Sequence, residues 1–255
     1  MNMNIKIPVS SDIPALRMLW KEAFGDNDEF LDNFFSTAFH TDRCRFITSD
    51  DAPAAVLYWF DCLYMNKPVA YLYAIATAKA HRGQGLCHLL MNEVHSKLQA
   101  LGYAGAILVP ADSRLFELYQ TLGYQTCCYI NEFTCKASSK KVPLRRISAE
   151  EYTTLRRKLL PNGGILQEHE NTDFLSTQSN FYTGDNFLLT ARMENRQLFG
   201  MELLGDTSCA PDILYTLGCN QGIFRTQGHS MPFAMYHDLS DASLPLPSYF
   251  GLAFD

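Results

Sequence analysis

The fold of this chain is decided by residues 71–85, which read YLYAIATAKAHRGQG. Residues 71–78 are a continuous apolar and aromatic run, which is typical of a buried β-strand. After the glycines, apolar residues recur at helical spacing, namely Leu86, Leu89, Leu90, Val94, Leu98 and Leu101. Gly102 then supplies a stop signal. The stretch therefore predicts a strand that leads through a short loop into a helix with a glycine-rich first turn.

The first turn of this helix is a candidate binding site for a phosphate or pyrophosphate. Its backbone amides have no partner within the helix and lie at the positive end of the helix dipole, so they attract anions. The P-loop pattern is absent, because no Lys-Ser or Lys-Thr follows the glycines. The dinucleotide-binding fingerprint is absent too, because His88 stands at its third glycine position.

The segment Arg82-Gly83-Gln84-Gly85-Leu86-Cys87 fits the pattern Arg/Gln-x-x-Gly-x-Gly/Ala. It resembles the acyl-CoA loop of the GCN5-related N-acetyltransferase (GNAT) family, except that Cys87 stands where the family prefers Gly or Ala. The resemblance covers about residues 5–135 and implies an α/β (α+β) fold with a mixed, mostly antiparallel sheet flanked by helices. It also implies acetyl-CoA as the cosubstrate. The residues that would bind CoA are Ile75, Ala76, Thr77, Arg82, Gly83, Gln84, Gly85, Leu86 and Cys87.

Acetyl transfer to an amine needs a polarised thioester carbonyl, a neutral amine and a proton for the departing thiolate. In the resembled family a backbone amide of the strand before the loop polarises the carbonyl. The segment 118–124 is similar to the family's Tyr-x-x-x-Gly-Phe/Tyr element, whose tyrosine commonly protonates the sulfur, and this assigns Tyr119 as the general acid. A phenol with a pKa of about 10 can donate to a thiolate with a pKa of about 8.5. The alternative is that Tyr119 is one more aromatic residue of the core.

The general base and the acceptor contacts stay open at this point. Asp61, Tyr64, Tyr73 or a relayed water could accept the proton of the ammonium group. A second set of carboxylates near a helix junction could attract a cationic acceptor, namely Glu22, Asp26 and Asp28. The chain ends in an apolar tail, and some tandem acetyltransferases place their C-terminal carboxylate in the active site, which makes Asp255 a further candidate.

The polar segment 136–141 divides the chain into two predicted units. Residues 1–136 form the acetyl-CoA-binding N-acetyltransferase domain, and residues 137–255 a smaller α+β domain. In the second unit, a capping box at Ser148–Glu151 opens a helix, and residues 173–183 echo the helical residues 29–36. A hairpin follows, but no glycine-rich loop. We interpret this unit as a degenerate second acetyltransferase copy that shapes the acceptor site, with an unrelated α+β cap as the alternative.

Composition restricts the partners. The net charge is −6 and no Lys/Arg-rich tract occurs, which argues against nucleic acid. Neither a signal peptide nor a membrane span is visible, which favours a cytoplasmic protein without membrane contact. The eight cysteines form no Cys-x-x-Cys pair and no His-Glu-x-x-His motif occurs, so we expect reduced thiols and no metal. The oligomeric state is not readable.

The function predicted from these features is an N-acetyltransferase. It moves an acetyl group from acetyl-CoA to a primary amine of a small molecule or a protein by direct attack. The main alternative is a non-catalytic module that binds acyl-CoA or uses the fold only for interaction. A third hypothesis, a transferase that uses aminoacyl-tRNA, is disfavoured by the acidic charge balance.

Overall fold

The computed structural model describes residues 4–240 and 244–254. The helices are α1 (Ile13–Phe24), α2 (Asp28–Thr37), α3 (Leu86–Ala100), α4 (Ser113–Thr121), α5 (Ala149–Leu159), α6 (Glu170–Ser176) and α7 (Ala210–Leu217). The strands of the first half are β1 (Asn4–Lys6), β2 (Cys44–Ser49), β3 (Ala52–Tyr64), β4 (Lys67–Thr77), β5 (Gly105–Leu108) and β6 (Gln125–Lys136). Those of the second half are β7 (Arg145–Ile147), β8 (Leu166–Gln167), β9 (Asn180–Thr183), β10 (Phe187–Glu194), β11 (Gln197–Gly205), β12 (Gln221–Gln227) and β13 (Met231–Asp238).

Side-chain caps fix where several helices begin. Asn27 accepts a hydrogen bond from the amide of Phe30 at 2.9 Å, and Asp112 caps α4 in the same way. Ser148 caps α5, as its capping box predicts. Asp12 is the N-cap residue of α1, as its residue type favours, but its side chain makes no hydrogen bond to the first turn of that helix. The Asp12 carboxylate accepts instead from the amide of Val9, three residues before it, at 2.8 Å.

Within the described residues all thirteen strands belong to one sheet, in the order β1-β2-β3-β4-β5-β13-β6-β12-β11-β10-β9-β7, with β8 paired to β3. In the first half β1 to β4 are antiparallel neighbours, and β4 and β5 are parallel. The strand β13, from near the end of the chain, lies between β5 and β6 and is antiparallel to both. The sheet of the first half is therefore completed by a strand of the second.

The second half repeats this series of pairings. The strands β7, β9, β10 and β11 are antiparallel neighbours, β11 and β12 are parallel, and β12 is antiparallel to β6. Each half thus ends on a strand supplied by the other. The division at residue 136 and the origin of the second half as a degenerate copy stay predictions.

One part of the predicted repeat is wrong. The echo of residues 29–36 matches residues 173–183 to the second helix of the first half, but α6 ends at Ser176 and residues 180–183 form β9. The aromatic and β-branched residues of this segment suit a strand, and they pair with β10 over four residues. The helix α7 and the strands β12 and β13 were also not predicted as elements.

The core lies on both faces of the sheet. The helices α3 and α4 cover one face of the first half, and α7 covers the corresponding face of the second. On the other face one large cluster unites both halves, and it includes Trp20 of α1, Phe174 of α6 and Phe250 of the C-terminal tail. This shared aromatic core brings residues of the second half to the edge of β4, where the site is found.

Candidate active site

The first feature of the site is a wedge between β4 and β5. The two parallel strands are paired only where Val69–Tyr71 of β4 lies beside Gly105–Ile107 of β5. Beyond Tyr71, β4 is paired with β3 alone among the described residues. The other edge of β4 therefore offers backbone groups to an extended ligand that could add to the sheet as a strand does.

A β-bulge reshapes β4 beside this wedge. Tyr58 of β3 pairs with Tyr73 whereas Val56 pairs with Ala76, so β4 carries one residue more than β3 between these pairs. Ala74 has a φ of +48°, a left-handed conformation that few residues with a β-carbon adopt. Such a bulge twists the strand and re-aims its backbone groups. The last residues of β4, which were predicted to lie along the cofactor, follow this kink.

The second feature is the glycine-rich loop. Gly83 and Gly85 have φ values of +75° and +77°, so both adopt the left-handed conformation for which glycine is preferred. The first hydrogen bond of α3 runs from the amide of Leu89 to the carbonyl of Gly85 at 3.1 Å. The amides of residues 83–88 have no acceptor among the described residues. This row of unpaired amides at a helix N-terminus has the chemistry of an anion site.

The loop is braced by its own polar side chains. The guanidinium Nε of Arg82 donates to the carbonyl of Thr77 at 3.2 Å, and the amide nitrogen of Gln84 donates to the carbonyl of Ala80 at 3.3 Å. Arg82 and Gln84 are otherwise exposed. Both side chains fold back on the segment between β4 and α3, which stabilises the turn that presents the amides.

Tyr119 lies in the buried cluster beneath the loop. Its side chain is 6% exposed, and its ring meets that of Tyr124 edge-on at 5.9 Å. Burial raises the pKa of the Tyr119 phenol, and the thiol of Cys87 raises it further. Burial also raises the pKa of the Cys87 thiol, to about 11. The structure therefore brings Tyr119 next to the first turn of α3 and keeps its hydroxyl protonated at neutral pH, while its ring also serves the core.

The three candidate bases lie in different places. Tyr73 is at the bulge, and its hydroxyl donates to the carbonyl of Phe254 at 3.2 Å. Asp61 pairs in the sheet with Ala70, on the closed side of the wedge, where its carboxylate binds Arg43 and accepts from the Tyr103 hydroxyl at 2.5 Å. Tyr64 is at the far end of β3, and its hydroxyl donates to the carbonyl of Leu246. Of the three, only Tyr73 is brought to the wedge.

The carboxylates near the α1–α2 junction all have partners within the protein. Hydrogen bonds from Lys21 and then Arg17 lower the pKa of Asp28, which is exposed. The contacts are Glu22 Oε1 with the amide of Lys79 (2.6 Å), Asp26 Oδ2 with Trp20 Nε1 (2.8 Å) and Asp28 Oδ1 with Lys21 Nζ (2.5 Å). Glu22 thus contacts the start of the cofactor loop, a contact that the sequence did not predict.

The C-terminal tail reaches the same region. The side chain of Gln167 binds both the amide (3.1 Å) and the carbonyl (2.6 Å) of Leu252. The ring of Phe254 packs against those of Phe60 (4.8 Å) and Tyr73 (5.4 Å). The aromatic composition of the tail predicted its burial but not its place beside β4. Asp255 lies outside the described residues.

A buried ion pair holds the tail in place. Glu202 and Arg156 are fully buried and joined by two hydrogen bonds of 2.8 and 2.9 Å. The hydroxyls of Tyr152 (2.5 Å) and Tyr249 (2.8 Å) donate to the same carboxylate. Burial acts to raise the pKa of Glu202, but Arg156 and the hydrogen bonds outweigh it, so this pKa is lowered. The network joins α5, β11 and the tail, and sequence patterning offered no signal for it.

Two further properties concern the described residues as a whole. Over 4–240 and 244–254, no three His, Cys, Asp or Glu side chains come together as a ligand set for a metal ion. No helix in these ranges is long and apolar enough to cross a membrane.

Comparison with known proteins identifies the architecture. Residues 4–127 match the family model described as an acetyltransferase (GNAT) domain. A GCN5-related N-acetyltransferase from Anabaena variabilis superimposes with a TM-score of 0.73 at 13% identity, covering 94% of this chain and 73% of that one. Its counterpart from Kribbella flavida gives a TM-score of 0.71 at 15% identity, with 93% and 72% covered.

A putative acetyltransferase from Pyrococcus horikoshii has a TM-score of 0.61 at 14% identity, with 98% of this chain and 92% of that one covered. These likenesses confirm the predicted fold, a mixed and mostly antiparallel sheet flanked by helices. No curated protein matches the sequence.

Proposed function

The chain belongs to the GCN5-related N-acetyltransferase family through residues 4–127, and from this premise we propose that it transfers the acetyl group of acetyl-CoA to a primary amine of a small molecule or a protein. The observation that carries the proposal is the row of unpaired amides at residues 83–88, next to the open edge of β4. An anion site at a helix N-terminus next to an open strand edge suits a ligand with a pyrophosphate and a long amide-containing arm.

In this proposal the pyrophosphate of CoA accepts hydrogen bonds from the amides of residues 83–87. The pantetheine arm lies along β4 at Ile75, Ala76 and Thr77 and hydrogen-bonds to the main chain as an added strand would. Cys87 is half-buried in the first turn of α3, so its small side chain leaves the backbone accessible. Arg82 and Gln84 brace the loop.

The reaction is a direct attack of the neutral amine on the thioester carbonyl. A backbone amide at the β4 bulge polarises the carbonyl and stabilises the tetrahedral intermediate. As this intermediate collapses, the C–S bond breaks and the sulfur leaves as a thiolate, which takes a proton from the Tyr119 hydroxyl. The Tyr119 phenol is protonated at neutral pH, because burial raises its pKa, so it holds the proton that this step needs. The phenolate that remains is a stronger base than the thiolate and regains a proton from water.

The acceptor is proposed to bind where the first domain (1–136) meets the second (137–255). Tyr73 at the bulge, Phe254 of the tail and Trp20 of α1 lie together there, with ring separations of 5.4 Å for Tyr73 with Phe254 and 5.7 Å for Tyr73 with Trp20. The proton of the attacking ammonium group leaves through Tyr73 or through a relayed water. In this proposal the second domain contributes side chains to the acceptor site and has no nucleotide site of its own.

Calorimetry with acetyl-CoA tests the cofactor assignment. We expect one acetyl-CoA per chain, and we expect Gly85→Glu to abolish binding because it places an anion against the amides. Gly102→Glu is the matched control, since Gly102 lies at the other end of α3, has a φ of +83°, and has open space around it as Gly85 does. It reproduces the backbone strain of the substitution without touching the loop.

An amine panel with thiol detection then tests transfer itself. Release of CoA that depends on the added amine supports the enzyme. An intact protein that binds acetyl-CoA but transfers to no amine would favour the acyl-CoA-binding module instead. If the protein gives neither heat nor a thermal shift with acetyl-CoA, the proposal is wrong.

A further inference from the structure

Glu22 holds an unusual position for a carboxylate. It lies in the last turn of α1, and its Oε1 accepts a hydrogen bond from the amide of Lys79 at 2.6 Å. Lys79 begins the short 3₁₀ turn that leads from β4 into the glycine-rich loop. Among the described residues, Glu22 is the one side chain from outside segment 77–85 that hydrogen-bonds to residues 79–85.

The two ends of this segment are joined to β3 and α3 by backbone hydrogen bonds, from the amide of Ala78 to the carbonyl of Ala54 (2.9 Å) and from the amide of Leu89 to the carbonyl of Gly85 (3.1 Å). The hydrogen bonds between these ends, other than that of Glu22, are internal to the segment. The amide of His81 donates to the carbonyl of Ala78 at 2.9 Å, and the side chains of Arg82 and Gln84 reach back to neighbouring carbonyls. Such internal bonds shape the turn between its two attached ends. The contact with Glu22 adds an anchor between these ends, because it joins the loop to a helical residue 57 positions earlier.

The anchoring end of this contact is itself rigid. Trp20, two residues before Glu22, is 1% exposed and packs on Tyr73 at the β4 bulge. Its indole nitrogen donates to Asp26, which fixes the turn after α1. The end of α1 is therefore held by the aromatic core, and the loop is held by the end of α1.

Electrostatics argue against a ligand-attracting role for this carboxylate. A negative charge at the entrance of a loop that binds an anionic phosphate ligand repels that ligand. Removing the charge by itself would therefore tighten the binding of CoA. The position of Glu22 is consistent with a contribution to loop geometry that outweighs this repulsion.

We propose that Glu22 is a positioning residue that holds the cofactor loop in the conformation competent for binding, and that it thereby sets the affinity for acetyl-CoA. The proposal rests on the function proposed above, which assigns residues 83–87 to the pyrophosphate. A loop that is held in its bound conformation loses less entropy when the ligand binds, and this is the source of the gain in affinity.

Three variants separate the hydrogen bond from the charge. Glu22→Ala removes both. Glu22→Gln removes the charge and keeps an oxygen that can accept from the amide of Lys79. Asp32→Ala is the matched control, because Asp32 is an exposed carboxylate of the same helical corner that pairs with Arg17 and does not touch the loop.

Calorimetry with acetyl-CoA gives the first readout. We expect Glu22→Ala to raise the Kd about three- to tenfold, the range set by the loss of a side-chain cap on a backbone amide. Glu22→Gln and Asp32→Ala should bind as tightly as the wild type or slightly more tightly. With saturating acetyl-CoA, kcat should be the same in all four proteins. Binding by Glu22→Ala that equals or exceeds the wild type would overturn the proposal.

Amide hydrogen exchange of residues 78–82 without any ligand gives the second readout, on folded protein whose thermal midpoint is checked for each variant. Exchange in this segment should be faster in Glu22→Ala and unchanged in Glu22→Gln and Asp32→Ala. Equal exchange in all variants refutes the role of Glu22. This measurement needs no acetyl-CoA, so it decides on Glu22 even if the wild type binds no acetyl-CoA and the proposed function fails.

Discussion

Replacing Glu202 with Gln is expected to destabilise the protein by about 3–5 kcal/mol, because it removes the countercharge of the fully buried Arg156. The wild-type carboxylate accepts four hydrogen bonds, two from Arg156 and one each from Tyr152 and Tyr249. The amide of Gln keeps the volume but turns an NH₂ group toward donors. The loss is a large share of a total stability of about 5–15 kcal/mol.

Urea unfolding monitored by circular dichroism measures this loss. Glu151→Gln is the matched control, since Glu151 pairs with Arg145 at the surface and should change the midpoint little. The double variant Arg156→Met with Glu202→Gln tests the cause. If an uncompensated charge is responsible, the double variant is more stable than Glu202→Gln alone. A loss below about 1 kcal/mol for Glu202→Gln, or a double variant less stable than it, refutes the reasoning.

Three further predictions concern catalysis, pH and chain length. Tyr119→Phe should lower kcat about 10²- to 10⁴-fold with little change in acetyl-CoA Kd, and equal turnover under conditions where chemistry is limiting removes Tyr119 from the mechanism. Burial and, to a lesser extent, the neighbouring His237 lower the pKa of His95 from its usual 6.5 to about 4. The folded state therefore keeps this imidazole neutral. Its contribution to the free energy of unfolding is fully present above pH 6.5, and the free energy of unfolding should fall by about 3 kcal/mol on acidification to pH 4. Urea unfolding across this range should show a weaker pH dependence for His95→Gln, and an identical profile would contradict the assignment. A chain that ends at residue 136 lacks β13 and should show neither a cooperative thermal transition nor acetyl-CoA binding, whereas a sharp melt with binding would contradict the shared sheet.

The parts of the fold that were predictable are those in which local pattern and final structure agree. The apolar run before Arg82 and the apolar helical spacing after Gly85 are both patterns of residues that are close in the sequence. β4, the loop and α3 were therefore predicted from the sequence. The cap at Ser148 is equally local. The strand at residues 180–183 was not predicted. A short aromatic resemblance to a helical segment does not show whether these residues form a helix or pair as a strand.

The contacts that complete the site are long-range and leave no local pattern. The hydroxyl of Tyr236 in β13 reaches the carbonyl of Ala104, 132 residues away. The side chain of Gln167 donates to the carbonyl of Leu252, 85 positions later, and Glu22 accepts from the amide of Lys79, 57 positions later. Each contact is made by a single polar side chain, and the sequence does not distinguish such a side chain from an ordinary surface residue. Sequence reasoning can propose such residues as charges, as it did for Glu22, but cannot name their partners.

The place of β13 between β5 and β6 also sets the order in which the protein can mature on the ribosome. When Lys136 has been made, about 100 residues must still be added before Asp238 completes β13, which takes about 5–20 s at about 5–20 residues per second. During this interval the nascent chain holds unpaired strand edges at β5 and β6, which invite mispairing with other chains. The stability of the finished sheet does not protect the chain during this interval, whereas a chaperone bound to the exposed edges of β5 and β6 would.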